Sequence, residues 1–167
     1  HIECYVGNAK QSLYYYCLVM GFKVIAYKGP ETGNKDSSSY VLQNNRIIII
    51  LTSPVNSAHK SNEWISKHGD GVYDIAFLVD DASEAYESCL SRGARSAYPP
   101  KYNDENTYCS AGIKTYGDVI HSFVSKNKYR GIWAPGFIEM SKPNLKLRDT
   151  GLVRIDHVVG NVEENKM

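Results

Sequence analysis

The sequence predicts an α+β fold in which two tandem βαβββ units form a cupped barrel of mixed sheet with the helices outside. Two observations support this fold class. A strand, a helix and three further strands occur twice, and the two helices end at Gly21 and Gly93, which lie 72 residues apart. Repetition at a fixed spacing indicates duplicated structural units. A cup lined by alternate strand residues is a natural place for a metal and a small ligand.

The first unit, residues 1–52, opens with a strand from His1 to Val6. Asn8 is a suitable N-cap, because its side chain can accept a hydrogen bond from a free amide of the next turn. Apolar residues then follow at helical spacing until Gly21, which supplies a left-handed helix end.

Three strands complete the first unit, at about 22–28, 39–43 and 46–52. The last two are joined at Asn44-Asn45, a pair that tolerates positive φ in a tight hairpin. The run Ile47 to Leu51 has no polar face, so we expect both of its sides to be covered.

The second unit, residues 72–125, follows a connection with a short helix at about 61–67. Its first strand covers 72–79, and Asp80 or Asp81 caps a helix that ends at Gly93. Three strands are then predicted, at 94–98, 107–115 and 119–125, with Pro99-Pro100 in the first turn between them.

A linker and the beginning of a third unit follow. Residues 126–150 have weak periodicity and contain Pro135, Gly136 and Pro143, which is typical of a linker. The string Val159-Gly160-Asn161 then repeats the string Val6-Gly7-Asn8 near the start of the chain. We therefore expect residues 151–167 to be the first strand of a second, truncated barrel, and the chain to be part of a longer protein.

Composition excludes several function classes. The net charge is +1 with no basic run, so nothing favours nucleic acid or an anionic membrane surface. No apolar stretch approaches the ~20 residues of a membrane span. The four cysteines contain no C-x-x-C pair, which argues against a zinc site and fits reduced thiols in a cytoplasmic protein. The thirteen tyrosines are expected to serve core packing and subunit contacts, so a homo-oligomer is expected.

A set of short strings, in this order, carries a resemblance to a known family. They include Val6-Gly7-Asn8-Ala9-Lys10-Gln11, Met20-Gly21-Phe22, Leu51-Thr52-Ser53-Pro54, His68-Gly69-Asp70-Gly71-Val72, Thr115-Tyr116-Gly117-Asp118, Pro135-Gly136-Phe137 and Ile155-Asp156-His157-Val158-Val159-Gly160-Asn161. The chain resembles the N-terminal portion of the 4-hydroxyphenylpyruvate dioxygenase family, within the vicinal oxygen chelate (glyoxalase-like) superfamily.

The resemblance implies a function and a metal. Members of that family carry a second barrel that holds non-haem Fe(II) on two histidines and a glutamate, a ligand set with open positions for substrate and O2. His157 matches the first ligand, the remaining ligands lie beyond Met167, and Val159 matches a residue of the substrate pocket. The implied substrates are the aromatic 2-oxo acid 4-hydroxyphenylpyruvate and O2, which yield homogentisate and CO2 in tyrosine catabolism.

Two alternatives remain open at this stage. The similar 4-hydroxymandelate synthase uses the same substrate and iron, and the first barrel by itself is explained equally well as a non-catalytic structural and oligomerisation module. No catalytic residue is assigned within the chain. One ligand cannot build a three-ligand site, so we expect the chain alone to be inactive.

A second possible metal site lies in the first barrel. The string Gly71-Val72-Tyr73-Asp74-Ile75-Ala76 places Asp74 where the family's second histidine stands, while His1 heads the first strand and His121 lies on the last. Two histidines and one aspartate are a possible ligand set. We expect internal hydrogen bonds or an Asp-His pair there instead, because buried polar groups are generally paired within the protein.

Overall fold

The computed structural model describes residues 1–140, 148–162 and 164–165. In these residues the elements follow the predicted order, with a short 3-10 turn at Pro30–Thr32. They are β1 (Ile2–Tyr5), α1 (Ala9–Leu18), β2 (Lys23–Lys28), β3 (Ser37–Asn44), β4 (Ile47–Pro54), α2 (Ser61–His68), β5 (Gly71–Leu78), α3 (Ala82–Ser91), β6 (Arg95–Tyr102), β7 (Cys109–Lys114), β8 (Ile120–Ser125) and β9 (Ile138–Glu139). The α+β class and the two βαβββ units are confirmed.

The chain divides into two compact units that repeat one topology. The first comprises His1–Val72 and Ile132–Val158, and the second Tyr73–Gly131 and Val159–Met167. The first has the strand order β1-β4-β3-β2-β9, and the second has β5-β8-β7-β6. The strand before the helix pairs in parallel, β1 with β4 and β5 with β8, and the other pairs within each unit are antiparallel. This shared order is the structural basis of the sequence repeat.

The capping and turn residues behave as predicted. The Asn8 side chain accepts a hydrogen bond from the Gln11 amide at 3.0 Å. Of the two candidates for the cap of α3, Asp81 is the one used, and it accepts from both the Ser83 and Glu84 amides. Asn45, in the β3–β4 hairpin, has φ of 51°, a conformation that asparagine tolerates better than most residues.

Strand β4 is covered on both faces, as its apolar sequence predicts. Ile47, Ile49 and Leu51 pack with the buried side of α1 in the main core of the first unit. Ile50 faces the other side, with Val41 and Ala26. Segment 132–139 covers this second face, because Trp133 and Phe137 pack against it and β9 pairs with β2.

Three details differ from the sequence prediction. Pro99 and Pro100 lie within β6 instead of ending it, and the β6–β7 register shifts between Tyr98 and Lys101. Since β6 is the outer strand of its unit's order, a missing amide donor is tolerated there. The predicted linker contributes β9, although its residues 141–147 lie outside the described part of the chain.

The third difference concerns the end of the chain. Residues 151–162 contain no strand. A strand requires a neighbouring strand for its backbone hydrogen bonds. No described strand pairs with this stretch, although the Arg46 amide donates to the Val153 carbonyl within it. Residues 163, 166 and 167 of the predicted 151–167 element lie outside the described residues.

A search of the described helices for a membrane span found none that combines sufficient length with sufficient hydrophobicity.

Candidate functional site

The first unit carries a carboxylate on the sheet face that α1 does not cover. Thr52 Oγ1 donates a hydrogen bond to Glu3 Oε1 at 2.7 Å, and Ser39 Oγ lies 2.8 Å from Thr52 Oγ1. Strands β1, β4 and β3 bring the three together, because Thr52 pairs with both Tyr5 and Ser39 in register. Burial raises the pKa of Glu3, and the Thr52 hydroxyl and the Lys60 charge oppose that rise.

Lys60, whose charge acts on Glu3, belongs to a cluster of aromatic and basic side chains around Tyr5. The Tyr5 ring makes edge contacts with Trp64 and His59, and Lys60 Nζ lies 5.9 Å from its centroid. His59 Nδ1 is 2.7 Å from Ser61 Oγ. Burial, followed by the Lys60 charge, lowers the pKa of His59, so the imidazole is held toward its neutral form.

The second unit has a corresponding arrangement at Asp74. Ser122 Oγ donates to Asp74 Oδ2 at 2.5 Å, and the Tyr98 hydroxyl donates to Ser122 Oγ at 2.9 Å. Asp74 and Ser122 are both buried. Burial raises the pKa of Tyr98 to about 12, so the phenol stays protonated and remains a donor. Gly112 makes room for this ring, because a Cβ there would lie 2.3 Å from Tyr98 Cε1.

The two units therefore repeat a chemical pattern as well as a topology. In each, the first strand (β1 or β5) supplies a carboxylate, and the strand parallel to it (β4 or β8) supplies a hydroxyl that donates to the carboxylate. A second hydroxyl, from Ser39 or Tyr98, lies within hydrogen-bonding distance of the first hydroxyl. A carboxylate satisfied by hydroxyl donors is stabilised without a metal. For Asp74, the expectation of internal hydrogen bonding is confirmed.

Each residue of the possible second metal site has defined neighbours within its own unit. His1 packs edge-on against Trp133, with ring centroids 5.2 Å apart. Asp74 is in register with Ile120, so the next residue, His121, points to the opposite face of the strand, where its ring contacts Phe77. His121 is therefore not the partner in the Asp-His pair that was one of the two expected arrangements. Among the described residues, no group of three or more His, Cys, Asp or Glu side chains is arranged to hold a metal.

His157 is an exposed side chain with a defined partner. Its Nδ1 lies 2.7 Å from Asp156 Oδ2, and the imidazole is 71% exposed. Arg154 also approaches Asp156, at 3.7 Å. Val159 is 76% exposed.

A cavity of the first unit lies elsewhere. It has a volume of about 440 Å³ and is lined by Gly21, Lys23, Ile25, Gln43, Asn44, Asn45, Arg148 and Asp149. None of the predicted site residues lines it.

Comparison with known proteins identifies the family. The model of the Glyoxalase/Bleomycin resistance protein/Dioxygenase superfamily matches residues 1–112. The chain belongs to this superfamily.

Curated relatives of this glyoxalase-superfamily chain agree in name. Proteins named 4-hydroxyphenylpyruvate dioxygenase from Tetrahymena thermophila and Dictyostelium discoideum are each 37% identical to it over its whole length. The chain covers 44% and 47% of these relatives, so it spans about half of their length.

Solved structures give the same fold. A triple mutant of 4-hydroxymandelate synthase from Streptomyces coelicolor has a TM-score of 0.70 at 24% identity, over 75% of this chain and 37% of the other. Methylmalonyl-CoA epimerase from Mycobacterium tuberculosis has a TM-score of 0.63 at 18% identity, over 75% and 85%. At these identities the likeness concerns the fold alone.

Sequence reasoning missed Glu3, Thr52, Ser122 and Tyr98 in this superfamily member. One signal was available, since Glu3 is the only charged residue of the otherwise apolar segment 2–6. An ionisable side chain in such a strand requires a buried partner. The hydroxyl partners gave no comparable signal, because serine and threonine are common on any strand.

Proposed function

We propose that this chain is the N-terminal half of a non-haem Fe(II) dioxygenase that converts 4-hydroxyphenylpyruvate and O2 to homogentisate and CO2 in tyrosine catabolism. The observation that carries the proposal is the 37% identity over the entire chain to curated relatives of that name. Their second halves have no counterpart in this chain, so the activity belongs to a polypeptide of their full length.

His157 is the proposed first iron ligand, and its surroundings suit that role. With Nδ1 directed at the Asp156 carboxylate, Nε2 is the nitrogen left to face a metal. A carboxylate that accepts from the non-ligating nitrogen fixes the ring orientation and raises ligand basicity. When bound, Fe(II) would supply sites for chelation of a 2-oxo acid and for O2.

The remaining residues have supporting roles in this proposal. Val159 would line the pocket for the aromatic substrate, and Asp156 would orient His157. Residues 1–125, as units 1–52 and 72–125, would form a structural barrel, 126–150 a linker, and 151–167 the first strand of the catalytic barrel. The hydroxyl hydrogen bonds that Glu3 and Asp74 accept support a non-catalytic first barrel. We further propose a cytoplasmic homo-oligomer that binds neither nucleic acid nor membrane.

The test compares a polypeptide extending over the full length of the relatives with the 167-residue chain. We expect the longer protein to bind Fe(II) and to form homogentisate, and the shorter one to do neither. His157→Gln should abolish Fe(II) binding in the longer protein, and the matched His121→Gln should leave it unchanged. Hydroxymandelate as the product would favour the synthase instead. Oxygen uptake by the 167-residue chain with Fe(II) and substrate would refute the proposal that the activity requires the full-length polypeptide.

A further inference from the structure

Residues 148–153, here called the docking segment, are attached to the first unit at two points. At the first, the Thr150 hydroxyl donates to the Met20 carbonyl at 2.9 Å, and Asn44 Nδ2 donates to the same carbonyl at 3.1 Å. Asn44 Nδ2 also lies 3.2 Å from Thr150 Oγ1. These contacts hold the segment against the chain just beyond the C-terminus of α1.

The second attachment point is the β3–β4 hairpin. Asn45 Nδ2 donates to the Leu152 carbonyl at 2.6 Å, and the Arg46 amide donates to the Val153 carbonyl at 3.2 Å. The Leu152 side chain packs against the main core of the unit. The segment is therefore held by backbone, side-chain and apolar contacts together.

Gly21 permits this attachment in a way that no other residue would. Its φ is +73°, and an added Cβ would lie 2.3 Å from the Arg148 carbonyl oxygen and 3.1 Å from Thr150 Oγ1. Gly93, which ends α3, has φ of +97° with nothing within 4 Å of its position. The two glycines share the strained backbone conformation, but Gly21 alone of the pair contacts the docking segment.

The attachment lies close to His157 in the chain. Val153 is four positions before His157. A span of four residues reaches at most about 14 Å. Release of the docking segment would therefore free the chain immediately before the proposed ligand.

We propose that the docking segment positions His157 for iron binding, with Gly21, Asn45 and Thr150 as positioning residues. This inference rests on the proposed function, since it assigns a metal-binding role to His157. The contacts lie immediately before the proposed ligand in the chain, and metal sites require ligands held to within ~0.5 Å.

The test uses variants that release the segment without straining the backbone. In the double variant Asn45→Gly/Thr150→Val, glycine keeps the positive φ and valine keeps the shape of threonine. The side-chain hydrogen bonds from Asn45 to Leu152, from Thr150 to Met20 and from Asn44 to Thr150 are lost. Thr150→Ser, which keeps the hydroxyl, is the conservative rescue. Gly21→Ala forms a second, independent perturbation, and Gly93→Ala is its control for strain alone.

Two measurements are made on each full-length variant: hydrogen exchange at residues 148–155, and the Fe(II) dissociation constant. We expect the double variant and Gly21→Ala to exchange faster in this segment and to bind Fe(II) about three- to tenfold more weakly. Thr150→Ser and Gly93→Ala should match the unmodified protein in both measurements.

Each other outcome has a distinct meaning. Faster exchange with unchanged Fe(II) affinity overturns the positioning role while the proposed function stands. Unchanged exchange in the double variant shows that these contacts do not hold the segment, and also overturns it. Failure of the unmodified full-length protein to bind Fe(II) overturns the proposed function, and the positioning role with it.

Discussion

Replacing Thr52 with valine tests the buried carboxylate of the first unit. Thr52 is 3% exposed, and valine preserves its shape and its β-branched fit to strand β4. The substitution removes the hydroxyl that donates to Glu3 Oε1 at 2.7 Å. A hydrogen bond to a charged group contributes about 1.5–3 kcal/mol, and one between neutral groups about 1 kcal/mol. The cost should therefore depend on whether Glu3 is ionised.

The sign of this pH dependence follows from the raised pKa of Glu3. Above 4.5, its ordinary value, the native state retains a proton that the unfolded state has released, so stability falls as pH rises toward the native pKa. The Thr52 hydroxyl lowers the pKa of Glu3, so its removal raises that pKa further. The fall in stability then extends to higher pH. Thr52→Val should thus cost about 1 kcal/mol while Glu3 is protonated, and the cost should rise with pH toward about 1.5–3 kcal/mol as Glu3 ionises, so that it is larger at pH 8 than at pH 4.

Thermal unfolding of the 167-residue chain at both pH values measures the difference. The midpoint should fall by about 4–10 °C at pH 8 and by less at pH 4. In a Glu3→Gln background, which keeps the side-chain shape without the charge, the pH dependence of the Thr52→Val effect should disappear. An equal loss at both pH values, or an undiminished dependence in that background, would refute the reasoning.

Three further predictions concern the second unit. Gly112→Ala should destabilise the protein by about 1–3 kcal/mol in chemical unfolding, because its Cβ would lie 2.3 Å from Tyr98 Cε1, and a Tyr98→Leu background should remove most of the penalty. Ultraviolet titration should show Tyr98 ionising near pH 12. The Tyr98→Phe variant should therefore lose one phenol from the absorbance change near pH 12 and none from the change near pH 10. Burial lowers the pKa of Lys126 to about 8, so its Cε resonance should be half-titrated near that pH. The free energy of unfolding should then rise with pH between about 8 and 10.5, because in this range the unfolded state binds a proton that the native Lys126 has lost. The assignment would be contradicted by a Lys126 resonance that titrates above pH 10, or by a Lys126→Met variant that keeps this rise.

The sequence predicted the elements well where local and non-local signals agreed. Local conformational preferences were enough to predict the cap at Asn8 and the positive φ of Asn45 and Gly21. The repeat added the order of the elements, because a duplicated unit must bury the same face twice. Strand pairing was less predictable, as the course of β6 through Pro99-Pro100 shows. That course is allowed only by its outer position in the sheet, which local sequence does not encode.

The candidate site was harder to predict than the fold. Asp74 was found because a family string has a histidine in its place, and its hydrogen bonding was anticipated from burial. The hydroxyl donors Ser122 and Tyr98 come from strands distant in sequence, so only the folded sheet brings them to the carboxylate. For His157 the structure adds a partner, Asp156, which the sequence places beside it but does not orient.

The division of the first unit into two chain segments affects how the protein is made. Ile50, Val41 and Ala26 are covered by Trp133 and Phe137, which follow Val72 by more than sixty residues. At a synthesis rate of about 5–20 residues per second, this apolar face and the β2 edge remain open on the ribosome for roughly 3–13 s. An uncovered strand edge beside an apolar face invites intermolecular pairing. The nascent chain is therefore most vulnerable to aggregation during that interval, and most in need of a chaperone, before β9 closes the edge.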